Sequence, residues 1–182
     1  IEEQFYLLWP LILLLAVRFL RGRRRLLVLL VVLTAASFGA GVWLTFQNQP
    51  WAFFGLPTRA WELAVGGIVA VLALNRDSVL PPRIGAVVGW AGVGGIVIAA
   101  FTFSESTQFP GVAAALPVAA TAAVILGGSG PTSYGPAAFL SVRPLLFVGT
   151  ISYSLYLVHW PLLIVPQAAI GFENPLPLWA TL

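Results

Sequence analysis

Apolar residues gather in six stretches, at 5–20, 26–46, 60–74, 84–103, 111–126 and 145–165, with polar, Gly- and Pro-bearing punctuation between them. Most approach the roughly 20 residues that a helix needs to cross a hydrocarbon core about 30 Å thick. The third and fifth are shorter, near the length where a buried helix is an alternative. Backbone polar groups cannot go unpaired in lipid, so apolar runs of this length predict helices. The short alternating segments of a membrane barrel are missing from the pattern. The expectation is an all-α, polytopic transmembrane helix bundle with about six spans.

Composition agrees. Hydrophobic residues make up 59% of the 182 and charged residues 8%, with a mean hydropathy of +0.96. A soluble domain is about a quarter charged because its surface faces water. Cysteine is absent, which removes disulfides, thiolate metal sites and a cysteine nucleophile. Methionine is absent too, Ile1 opens inside an apolar segment, and 177–182 starts another. The sequence therefore reads as a piece of a longer membrane domain, with further helices expected upstream.

Net charge is only +3, but its placement is ordered. All nine basic residues are Arg. The first connection holds Arg18, Arg21, Arg23, Arg24 and Arg25, the third Arg76 and Arg83, the fifth Arg143. Eight of nine arginines thus fall on alternate connections, which must share one side. Basic connections stay in the cytoplasm, so the other connections, 47–58 and 104–110, are expected outside. Trp43, Trp51, Phe53 and Phe54 cluster there as an interfacial belt would. Small residues predict where helices touch: Gly85 with Gly89, and Ala91 with Gly95, each carry the four-residue spacing of close helix contacts.

Ionisable groups inside such segments cost several kcal/mol and are functional candidates by default. Glu2, Glu3 and Gln4 open the first segment, with Tyr6 and Trp9 on the face of Glu2; acids decorating a helix N-terminus are the bland alternative. Arg59 and Glu62, three apart, share a side of the third segment; a shielding intrahelical ion pair is the alternative there. On the sixth, Tyr156 and His159 fall within about 40° and −20° of Ser152, with Tyr153 beside them. A core histidine or an interfacial aromatic belt would look similar, whereas a titratable imidazole can serve as base, relay or ligand. The expected topology brings all three groups to the outer side. Pro10 and Pro161 are expected to kink or open their helices near that layer.

Other chemistries are disfavoured. There is no GK[ST] phosphate loop, one histidine without cysteine makes no zinc site, and no basic, aromatic-interleaved soluble face for nucleic acid exists.

The same residues carry a resemblance. The run from Ile1-Glu2-Glu3-Gln4-Phe5-Tyr6 to Trp9-Pro10 resembles the S-x-E-E-Q-F-Y-L-x-W-P signature of the acyltransferase-3 family, the O-antigen O-acetylase type. Arg59-Ala60-Trp61-Glu62-Leu63 resembles its R-x-W-E-L segment, and Gly149 to Pro161 its G-x-I-S-Y-S-L-Y-L-x-H-W-P helix. Phe109-Pro110-Gly111 extends the likeness. The resemblance implies a multi-pass enzyme of the bacterial inner membrane that transfers an acyl group, usually acetyl, to a carbohydrate hydroxyl. It implies acetyl-CoA or another acyl-CoA as donor substrate, with no bound cofactor and no metal. Acceptors would be lipopolysaccharide O-antigen, other envelope polysaccharides or glycolipids. In such a family the usual catalytic histidine lies on an early helix, so His159 is not its counterpart. Hydroxyl attack on a thioester needs a base and oxyanion stabilisation. Glu2, Glu3 and His159 are the catalytic candidates; Gln4, Tyr6, Arg59, Glu62, Ser152, Tyr153 and Tyr156 are candidates for binding substrate. A proton-coupled transporter is the alternative, since intramembrane charges and Pro-broken helices suit one too.

Overall fold

A computed structural model describes residues 10, 14, 18, 22–74, 78–104, 107–128 and 134–170, with side chains of the last helix described to 159 and at 161–162. The described residues form helices joined by turns, with no strand among them. Seven elements follow in order: α1 (Arg23–Gln47), α2 (Gln49–Phe54), α3 (Leu56–Ala73), α4 (Pro82–Thr102), α5 (Ala115–Gly128), α6 (Pro136–Leu140) and α7 (Arg143–Ile170). The chain divides into two compact units, 1–138 and 139–182.

Helix α1 starts where Gly22 adopts a φ of 117°, a backbone region open to a residue without Cβ. The Gly22 carbonyl accepts the amides of Arg25 and Leu26. At the far end Asn48 closes α1, its N–H donating to Leu44 O at 2.7 Å, and its side chain accepts from the Trp51 amide to open α2. Prolines begin α2, α3 and α4, the position where a missing N–H costs nothing.

Within the first unit the helices form two antiparallel pairs. Arg23 donates to Leu72 O at 2.8 Å, Ser37 to Pro57 O at 2.6 Å, and the Trp61 amide to the Ser37 hydroxyl at 3.0 Å. Gly41 lies so close to Thr58 that a Cβ there would stand 2.6 Å from the Thr58 carbonyl. Trp61 is buried against α1, edge-on to Phe38 with ring centroids 4.8 Å apart.

The α4–α5 pair is built on small residues. A Cβ on Gly92 would stand 2.5 Å from Ala120 O, and one on Gly127 would stand 2.6 Å from the Gly89 amide nitrogen. Gly85 and Gly89 face α5 as their spacing predicts, but Ala91 is exposed and Gly92 takes its place. The touching residues are therefore 85, 89, 92 and 95. They follow the mixed three- and four-residue steps of a helix face, which a strict spacing of four leaves after one turn.

Helices α1, α3 and α4 are long and apolar enough to cross a membrane; α5, at 14 residues, is a shorter apolar helix. The expected fifth span from 111 shortens because 109–114 folds as turns, with Ala114 N–H donating to Pro110 O and Ala115 N–H to Val112 O. The expected first span lies outside the described residues except Pro10, Leu14 and Arg18, which are helical. Short helices α2 and α6 were not legible in the apolar pattern. The antiparallel pairing puts Arg23, Arg24, Arg25 and Arg83 at one end of this unit and Arg59 at the other.

In the second unit α7 runs for 28 residues. It continues through Pro161 and Pro166 as one element. Proline lacks the amide that would bond residue i−4, so the carbonyls of Leu157 and Leu162 have no such partner. The prolines change the bonding of the helix without ending it.

Candidate functional site

Among the described residues of the first unit, an ion pair stands at the Arg59 end. Arg59 grips Glu62 with both arms of its fork, Nε to Oε1 at 3.1 Å and Nη2 to Oε2 at 2.9 Å. Both side chains are about a fifth to a quarter exposed. Bidentate geometry fixes direction as well as charge. The guanidinium carbon lies 5.2 Å from the Phe53 ring centroid and 5.9 Å from that of Phe109, close enough to each for cation–π attraction. Arg59 Nη1 makes no hydrogen bond among the described residues.

Three elements assemble this cluster. Helix α3 contributes Arg59 and Glu62, α2 contributes Phe53, and the turn before α5 contributes Phe109. The turn is pinned twice. Gln49 Nε2 donates to Phe109 O at 3.0 Å, and the buried Gly111 amide donates to Thr45 Oγ1 at 3.1 Å. Thr45 Oγ1 in turn donates to Gly41 O, so its one proton points down α1 and its lone pairs face the turn. The Phe109–Pro110 peptide is cis. Thr58 completes the corner, its hydroxyl within 2.7 Å of the carbonyls of both Ala52 and Gly55.

A slot opens beside the pair. Its volume is about 280 Å³, lined on α3 by Glu62, Val65 and Gly66 and on α5 by Pro117, Val118, Thr121 and Ile125, with Phe109 at the Glu62 end. Thr121 donates its hydroxyl proton to Pro117 O on its own helix. Beyond Glu62 the slot is therefore apolar.

On α7, Ser152 Oγ donates to Gly149 O at 2.7 Å, and His159 Nδ1 is 2.5 Å from Tyr156 O. A carbonyl only accepts, so Nδ1 carries the proton, and in the neutral ring Nε2 holds the free lone pair. The Tyr156 and His159 rings are neighbours, with centroids 5.7 Å apart. Tyr153 and Tyr156 are both exposed. These residues belong to the second unit and are described on their own helix. Glu2, Glu3, Gln4 and Tyr6 lie outside the described residues.

The profile of the acyltransferase domain family matches residues 1–182. This chain belongs to the acyltransferase-3 family. It is 33% identical to the peptidoglycan O-acetyltransferase OatA of Listeria monocytogenes, over 96% of this chain and 29% of that protein. It is 27% identical to the putative peptidoglycan O-acetyltransferase YrhL of Bacillus subtilis, over 96% and 29%. It is 31% identical to the O-acetyltransferase OatA of Staphylococcus aureus, over 90% and 28%. The chain thus spans less than a third of the length of these relatives. No solved structure matches it.

Within this acyltransferase-3 domain, reading the sequence found Arg59 and Glu62 and missed their aromatic neighbours. Phe53 looked like interfacial belt, and Phe109 entered only through its Phe-Pro-Gly likeness. That tripeptide was the available signal, because Pro-Gly marks a turn just before an apolar helix. Trp61 proves to be a packing residue, on the far side of α3 from the ion pair.

Proposed function

We propose that this domain binds the acceptor for a multi-pass O-acyltransferase of the bacterial inner membrane. In this reading the acyl group, usually acetyl, passes from acyl-CoA to a carbohydrate hydroxyl of the cell envelope. The names of the relatives favour peptidoglycan over lipopolysaccharide as the acceptor class. The observation that carries the reading is the Arg59–Glu62 pair, its guanidinium beside two neighbouring aromatic rings, in a chain of this family.

Chemistry supports it. A sugar hydroxyl is both donor and acceptor. Glu62 retains lone pairs beyond those taken by Arg59, and Arg59 retains Nη1 donors, so the pair offers a hydroxyl both kinds of partner. Aromatic faces suit the apolar faces of sugar rings. In the reaction the hydroxyl oxygen bonds the thioester carbonyl carbon, the carbon–sulfur bond breaks, and CoA leaves as thiol. The hydroxyl proton goes to a base, for which His159 Nε2 and the carboxylates of Glu2 and Glu3 are the candidates. Six spans, with the arginine-rich end in the cytoplasm, would place Arg59 at the outer leaflet. Family membership favours this over a transporter, which would consume no acyl-CoA.

The test is acetyl incorporation by the full-length protein in membranes, comparing wild type with Glu3→Gln, Arg59→Ala and His159→Ala at matched expression. Loss in the variants supports the assignment. Undiminished transfer in all three would remove it.

A further inference from the structure

A hydroxyl from α1 is built into the opening turn of α3. An α-helix ordinarily joins the carbonyl of one residue to the amide four residues on, and Pro57 and Trp61 are such a pair. Ser37 Oγ stands on both of them, donating to Pro57 O at 2.6 Å and accepting the Trp61 amide at 3.0 Å. A serine hydroxyl carries one proton, so that proton is committed to α3. Thr34, Thr102, Thr121 and Thr150 behave differently. Each donates to the carbonyl four residues back on its own helix.

The bridge sits where the Arg59–Glu62 pair is rooted. Arg59 lies in sequence between the two bridged residues, and Glu62 directly follows the second. A side chain that enters the backbone ladder changes the local winding and direction of a helix. The two-armed grip of Arg59 on Glu62 depends on that winding, because it needs both side chains to leave the helix at matched angles. Two further contacts hold the same turn against α1: Gly41 lies against the Thr58 carbonyl, and Phe38 meets Trp61 edge-on. Neither of those contacts bonds the Pro57 carbonyl or the Trp61 amide. Packing alone does not require the hydroxyl. In Ser37→Ala the Pro57 carbonyl and the Trp61 amide are left to each other, as in any helix, so neither goes unpaired.

We propose that Ser37 is a positioning residue for acyl transfer: its hydroxyl, bridging Pro57 and Trp61, sets the turn from which Arg59 and Glu62 meet the acceptor. The proposal rests on the acceptor-binding reading and adds to it a residue of α1 that acts through α3.

The test uses the full-length protein in nanodiscs, with acetyl-CoA as donor and muropeptides, the repeating units of peptidoglycan, as acceptor. Ser37→Ala and Ser37→Thr are measured alone, and Ser37→Ala also together with Glu62→Gln. Ser37→Ala should raise KM for the muropeptide about fivefold, with kcat and KM for acetyl-CoA within about twofold of wild type. Its unfolding temperature should match wild type, which separates positioning from a plain loss of stability. Ser37→Thr, which keeps a donor and an acceptor, should restore KM to within about twofold. In the Glu62→Gln background Ser37→Ala should change KM by less than about twofold, because the pair it aims is already broken.

Wild-type kinetics in Ser37→Ala beside impaired Glu62→Gln would overturn this proposal and leave the functional reading standing. So would a Thr variant as impaired as Ala, or an Ala effect that persists in full without Glu62. Undiminished transfer in Glu62→Gln, or none by the wild-type protein, would sink the functional reading and this proposal with it.

Discussion

Thr45→Val tests how the site is held together. The substitution preserves shape and deletes one oxygen. Thr45 is 7% exposed, and its hydroxyl is the acceptor for the buried Gly111 amide. Valine cannot accept, so the amide stays desolvated and unpaired, at about 1–3 kcal/mol. The Gly41 carbonyl, which also loses the hydroxyl, keeps its ordinary helix bond from the Thr45 amide, so the penalty comes from Gly111 alone. A lower Tm is expected, in proportion to that loss. Thr45→Ser keeps the acceptor and should lose less than about 1 kcal/mol. The assay is thermal unfolding of the full-length protein in nanodiscs. A Val variant as stable as wild type, or a Ser variant as damaged as Val, would refute the reasoning. Because the turn carries Phe109, Thr45→Val should also weaken acyl transfer while Thr45→Ser restores it.

Other consequences can be checked in the same preparation. Gly92→Val places a branched side chain against Ala120 O and the Val124 amide, both backbone; folded yield by size-exclusion chromatography should collapse, whereas Gly66→Ala should stay within about 1 kcal/mol of wild type. Trp61→Ala empties a buried site against Phe38 and should cost about 3–5 kcal/mol in unfolding experiments. Cysteines introduced at Arg24 and Gln49 should label from opposite faces of intact membranes, Gln49 from outside; labelling from one face would break the two-ended arrangement.

What the sequence made legible follows from what local physics controls. Apolar length placed α1, α3, α4 and α7 within a few residues, because such runs have no other way to satisfy their backbone. Alternating arginines anticipated that Arg59 stands at the end opposite Arg23–Arg25. The Arg59–Glu62 pair was legible because three residues along a helix is a contact distance.

Contacts distant in sequence were not legible. Gln49 reaches Phe109 across 60 residues and Thr45 reaches Gly111 across 66, and no periodicity encodes either. Helix α2 is six residues long, started by the side chain of Asn48 rather than by an apolar run. Gly92 in place of Ala91 shows the same limit at finer grain, since the partner helix decides which small residue faces it.

The central claim is that Arg59 and Glu62 act as one unit on the acceptor, and a double-mutant cycle on kcat/KM for acyl transfer tests it directly. Arg59→Lys keeps the charge and loses the fork, and Glu62→Gln keeps the shape and loses the charge. Each should lower kcat/KM at least about tenfold, with the double variant no worse than the poorer single, a coupling of at least about 1.4 kcal/mol. Losses that simply multiply, or single variants that match wild type, would contradict the account.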